Sequence, residues 1–164
     1  MQEICKMEAS VTAEFDEKCM RDALNSAGRG AELGEVPIGA CLIDESGTVI
    51  ASASNRTIID NDPTGHAEIL VLRQAASSLG NYRLTGTTMY TTIEPCVMCA
   101  GALVNARIKR LVFGAHDDRF GAVETRFRLC DNDSLNHRIE ISAGVLEAEC
   151  RALMQEFFRS RRAE

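Results

Sequence analysis

TTIEPCVMCAGAL, residues 91–103, changes its periodicity at the proline. Before Pro95 the run TTMYTTI (87–93) has the β-branched and aromatic composition of a strand. After it, small and apolar residues continue as a helix over 96–106, with Pro95 in the first turn, where a missing N–H costs nothing. Cys96 and Cys99 then share one side of that turn, because residues i and i+3 lie on one helix face. There the unpaired N–H groups and the helix dipole favour a thiolate. A C-x-x-C pair so placed serves either as a metal clip or as a redox couple, and the spacing alone does not choose.

Working outward, IKRLVFGA (108–115) reads as the strand after this helix, and RIEISAG (138–144) alternates like a half-exposed strand. IGACLID (38–44) and TVIASA (48–53), separated by ESG, read as a hairpin. A helix starting near Thr64 or His66 runs through AEILVLRQAASSL to Gly80. Upstream, Phe15, Cys19, Ala23 and Ala27 recur at spacings of four, predicting an amphipathic helix over 13–27 that Gly28 and Gly30 end. The stretch from Leu146 to Arg162 reads as a final helix with Leu146, Leu153, Phe157 and Phe158 near one face. Strands alternating with helices predict an α/β sheet with helices packed on its faces.

The 164 residues, 45% hydrophobic, suffice for one compact domain, expected over 1–164 with 1–13 as a loosely ordered extension. MQEICKMEAS alternates charged and apolar side chains, so neither a signal peptide nor a membrane anchor is expected and a cytoplasmic location is. Reduced thiols in that compartment, and an odd count of seven cysteines, argue against a disulfide framework. The net charge of −6 is the wrong sign for a protein that coats nucleic acid. Its distribution is uneven: residues 1–50 hold 4 Lys/Arg against 10 Asp/Glu, whereas 51–164 hold 14 of each. The basic residues gather in ARIKR (106–110), TRFRL (125–129) and FFRSRR (157–162), either a local basic surface or merely solvated helix faces.

TGHAEIL (64–70) bears on the choice left open at Cys96 and Cys99. It too falls at a helix start after a loop, and two such N-termini at one rim of a sheet can bring His66, Cys96 and Cys99 together. Three protein ligands leave one tetrahedral position open, the arrangement of a catalytic rather than a structural zinc site. A structural site needs a fourth ligand, for which Cys41, Cys130, His116 and His137 are candidates, although none has a marking spacing. Two thiolates cancel the charge of the ion, so a base is needed close by. Glu68, two residues beyond His66, can take a proton and return it to a leaving group.

H-A-E followed by P-C-V-M-C is the known signature of zinc nucleobase deaminases. With EVPIGA (35–40), SNRT (54–57), NDPTGHAEI (61–69), NYRL (81–84), EPCVMCAGAL (94–103), ARIKRLVFGA (106–115), GAVE (121–124), LNHRIEI (135–141) and FFRSRR (157–162), the chain resembles the bacterial tRNA-specific adenosine deaminases from about residue 14 onward. The resemblance implies a three-layer α/β/α cytidine-deaminase-like fold with a mixed five-stranded sheet. It implies conversion of the wobble adenosine of a tRNA anticodon to inosine, with His66, Cys96 and Cys99 holding one Zn²⁺ and Glu68 shuttling protons. It also implies that Asn55 contacts the target nucleotide and Asp117 lies beside its neighbours. Phe157, Phe158 and Arg161 would meet the anticodon stem-loop, and the chain would form a homodimer with no membrane partner. Asn55 and Asp117, read by themselves, are equally turn caps. Gly65 and Arg126 depart from the family pattern.

A deaminase of a free nucleobase or nucleoside (guanine, cytosine or cytidine) shares the zinc motif but has no need of a basic, aromatic C-terminal helix. A non-catalytic zinc-stabilised RNA-binding module has no use for Glu68.

Overall fold

The computed structural model describes the backbone of residues 2–162 and the side chains of residues 12–162. Along the chain run α1 (Gln2–Glu32), β1 (Gly39–Ile43), β2 (Val49–Ser54), α2 (Ala67–Leu79), β3 (Thr88–Ile93), α3 (Val97–Ala106), β4 (Arg110–Ala115), β5 (Glu140–Ala143) and α4 (Glu147–Arg161). The strands form one sheet in the order β2-β1-β3-β4-β5. β1 pairs antiparallel with β2 and β3, whereas β3–β4 and β4–β5 are parallel, so the sheet is mixed as expected. The three central strands are buried almost throughout, although β3 carries three threonines and β4 begins with Arg110, and the edge strands β2 and β5 keep exposed positions.

Two cores follow from this layering. On one face α2 and α3 cover Leu42, Met89, Leu111 and Phe113; on the other, α1 and α4, the latter through its buried Cys150, cover Cys41, Tyr90 and Val112. Tyr90 brings its hydroxyl into the second core, where it donates to Asp16 at 2.6 Å. Arg110 clamps the same carboxylate with two bonds of 2.9 and 2.7 Å, so the buried charge is paired.

The helix α1 does not end at Gly28 and Gly30, as its sequence predicts, but continues to Glu32. At Gly30 a Cβ would come within 2.9 Å of the Ser54 Cβ, so the missing side chain lets the helix lie against β2. That packing outweighs the roughly 0.5–1 kcal/mol glycine costs inside a helix. The expected looseness of residues 1–13 concerns side chains that, up to position 11, lie outside the described residues. No described helix is long and apolar enough to cross a membrane.

Candidate active site

Parallel strands send their C-terminal ends, and the helix N-termini that follow, to one rim of the sheet. His66 is the residue that caps α2 and Cys96 the one that caps α3, both in extended conformation with no side-chain capping bond. Their side chains are therefore free to turn toward each other across the rim. His66 Nδ1 lies 3.7 Å from Cys96 Sγ and 3.5 Å from Cys99 Sγ. Tetrahedral zinc bonds of about 2.3 Å to sulfur and 2.0–2.1 Å to nitrogen put such atoms about 3.6 Å apart, so the cluster fits the ion. Among the described residues this is the group that could hold a metal, and Cys41, Cys130, His116 and His137 stand elsewhere. Cys41 donates to the Cys19 carbonyl, His137 to that of Ile108, His116 pairs with Glu124, and Cys130 is core. All described cysteines are free thiols.

The donor set is tuned by its own contacts. Cys96 is pulled down to about 4, first by the hydrogen bond from Cys99 and then by His66, whereas Cys99 is pushed far up by that same contact and by burial. The two sulfurs thus keep one proton between them, which a bound cation would displace. Glu68 is 3% exposed, burial raises its carboxyl above the usual range, and its Oε2 has no hydrogen-bond partner. A buried oxygen left open beside three ligand atoms is suited to a substrate proton.

An open groove of about 980 Å³ leads from His66, walled by Asn55, the segment after β4 and the outer face of α4. Asn55 is buried and its Oδ1 accepts from the Ala67 N–H at 2.9 Å, capping α2 and leaving the side-chain NH₂ as its free donor. Asp117 lines the groove while its Oδ1 accepts from the N–H groups of Arg119 and Phe120, the turn-capping role its sequence allowed. Phe158, 46% exposed, faces the groove, and Phe157 is half-buried. Arg161 lies over the Phe157 ring at 5.3 Å and donates to the Gly34 carbonyl at 2.9 Å, clasping α4 to the end of α1. Gly65 does not loosen its turn, since its N–H and carbonyl bond Asp62 and Arg56. Arg126 donates through Nε to the Asp118 carbonyl at 2.8 Å, tying off the segment after β4.

Two buried carboxylates escaped the sequence reading. Glu35 accepts from the N–H groups of Ile58 and Ile59 at 2.8 and 2.7 Å and from the Thr57 hydroxyl, shaping the chain beyond Asn55. Glu94 accepts from the N–H groups of Asp117, Val123, Glu124 and Thr125 and from the Thr125 hydroxyl. Each stands one or two residues before a proline at the rim, and that was the available signal: a lone acid between a buried strand or helix end and a proline.

Burial alone would raise the Glu94 carboxyl, but these donors outweigh it and hold it below the usual range. A lowered carboxylate stabilises the fold above its unfolded value of about 4.3 and loses that contribution as pH falls through the folded value. Glu94→Gln is therefore expected to cost about 2–3 kcal/mol at pH 7. In urea titrations the gap to the parent should stay constant down to about pH 5 and narrow below it. A gap that widens on acidification would refute this role.

Known proteins resemble this chain over most of its length. A family profile of MafB19-like deaminases matches residues 14–162. The tRNA-specific adenosine deaminase of Haemophilus influenzae is 49% identical over 156 residues, 95% of this chain and 90% of that one. A solved structure from work on A-to-I editing by tRNA:A34 deaminases at the wobble position of transfer RNA superposes with a TM-score of 0.80 at 44% identity, over 83% of this chain and 98% of that one. A guanine deaminase from Nitrosomonas europaea superposes at 0.76 with 27% identity, over 86% and 83% of the two chains. The greater identity to the tRNA enzymes, sustained along nearly their full length, places the chain in the tRNA-specific adenosine deaminase family of MafB19-like deaminases.

Proposed function

We propose that the chain converts adenosine at the wobble position of a tRNA anticodon to inosine, with release of ammonia. The observation that carries this is the meeting of the three donor atoms with an open groove bearing Arg119, Arg151, Arg159, Arg161 and Arg162. A groove of that extent and charge suits a splayed RNA loop better than a free base.

His66, Cys96 and Cys99 would hold one zinc ion, which when bound supplies Lewis acidity and a nucleophile at neutral pH. Adenosine enters flipped out of the loop, because C6 cannot be reached in the stack. Asn55, its oxygen occupied by Ala67, offers its NH₂ to a ring nitrogen of the base. Glu68 takes a proton from the attacking water and delivers it to the purine ring, then carries the remaining hydroxyl proton of the C6 adduct to the departing amino group. The C6–O bond forms, the C6–N bond breaks, and adenosine and water become inosine and ammonia. Asp117 lies beside the neighbouring nucleotides, and Phe157, Phe158 and Arg161 form the α4 side of the RNA site. The enzyme works in the cytoplasm as a homodimer, whose boundary takes up exposed apolar side chains such as Ile58 and Val97 near the two helix N-termini.

The deciding assay offers the zinc-loaded protein an anticodon stem-loop with adenosine at the wobble position, beside free adenine, guanine, adenosine and cytidine. Inosine in the stem-loop is expected; turnover of a free base with none on RNA would move the chain to the free-base deaminases. Stem-loop affinity should also fall with added salt, by a log–log slope of about −0.7 for each phosphate contacted. Arg159→Gln and Arg162→Gln should each make that slope shallower by about one contact, and a salt-independent affinity would remove the arginines from the binding surface.

A further inference from the structure

We propose that Phe120 is a stacking platform for a base that flanks the target adenosine, an inference that rests on the RNA-substrate reading above. Phe120 lies between β4 and β5, is 66% exposed, and lines the groove with Arg119 and with Phe158 of α4. A single exposed apolar side chain ordinarily needs no explanation. This one is held out by a segment tied by hydrogen bonds on both sides of it. Its own N–H and that of Arg119 are bonded to the Asp117 carboxylate at 3.2 and 2.9 Å. The N–H groups of Asp117 and Val123, before and after it, are bonded to Glu94 at 3.2 and 3.0 Å. Gly121 donates to the Asp117 carbonyl, Arg126 donates its backbone N–H to the Gly121 carbonyl, and its side chain ties Asp118. A Cβ at Gly121 would run into the Glu94 carboxylate, so the segment closes tightly on that buried acid immediately after the phenylalanine.

The occupant follows from the surroundings. An aromatic face presented rigidly beside a guanidinium, in a groove with five arginines, matches a polyanion that carries flat rings. Unpaired loop bases are such rings, and stacking tolerates any base identity. Because the backbone is fixed before binding, ordering the platform costs little on association. Phe158 of α4 gives the same groove a second aromatic side chain.

The test uses the full-length zinc-loaded chain and the wobble-adenosine stem-loop, with equilibrium binding and single-turnover deamination read separately. Phe120→Ala should weaken stem-loop binding by about 5- to 150-fold, the range of one base–aromatic stack. The single-turnover rate at saturating RNA should stay within about twofold of the parent. Phe120→Tyr should restore binding, and Phe120→Leu, apolar but not aromatic, should not. Stem-loops with an abasic residue at either neighbour of the wobble adenosine complete a double-mutant cycle: one of them should weaken binding to the parent and make no further difference to Phe120→Ala. Parent-like binding by Phe120→Ala, an undiminished abasic effect in that variant, or a change in its oligomeric state would each overturn the platform. Phe120-dependent binding without any deamination would sink the enzymatic reading and leave the platform standing, and absence of stem-loop binding would sink both.

Discussion

Replacing Glu68 by glutamine is expected to leave about one zinc per chain in place and to reduce turnover by at least about 10²–10⁴-fold, the range of acid–base catalysis. The carboxylate is buried beside the His66–Cys96–Cys99 cluster with an unpartnered oxygen, and burial disfavours its charged form. The folded state is therefore holding a group that works against its stability, as acid–base residues commonly do. Glutamine has the same shape but cannot carry a proton back and forth. The variant should accordingly melt no lower than the parent while its single-turnover rate collapses. Metal analysis, calorimetry and single-turnover assays on one preparation distinguish the outcomes; near-parent activity with full zinc would remove Glu68 from the chemistry.

Cys99→Ala is expected to act at the step before. It deletes one of three donors whose imidazole-to-sulfur separations already match those of a tetrahedral site. Bound zinc should fall well below one per chain after dialysis, and activity should drop to the background of the assay. Because metal binding contributes to the folding free energy, the parent should also lose stability when stripped by a chelator, whereas Cys99→Ala should respond little to the same treatment. The control is Cys150→Ala, a buried thiol on the opposite face of the sheet, which should keep its metal. Equal zinc content in the two variants would refute the proposed ligand set.

Both expectations begin in local sequence. An i, i+3 cysteine pair after a proline, and an imidazole with a carboxylate two residues later at a second helix start, are short-range patterns, and short-range patterns survive folding unchanged. The strand and helix positions were legible for the same reason, apart from the two ends of α1, which runs from Gln2 to Glu32 rather than over 13–27. At its later end the sequence rule for glycine was overridden by contact with Ser54, a residue two strands away. Asn55 and Asp117 were each legible as either a contact to substrate or a cap. The structure shows each side chain capping a backbone N–H while lining the groove, a combination no local rule anticipates.

Glu35 and Glu94 mark the limit of that reading. Their partners are backbone N–H groups more than twenty residues further along, so the proline that follows each acid marks a chain turn but does not say what the carboxylate anchors. The same holds for the parallel pairing of β4 with β5 and for the placement of α4 along the groove, which depend on contacts between distant segments. The sequence by itself determined which groups can grip a metal and move a proton, because that chemistry is a property of side chains at fixed local spacing. The tertiary structure alone decided that these groups meet at one rim, that two buried acids tie the segments around them through backbone N–H groups, and that Phe120 and Phe158 line one groove, because each of these is a relation between parts of the chain brought together by burial of the two cores.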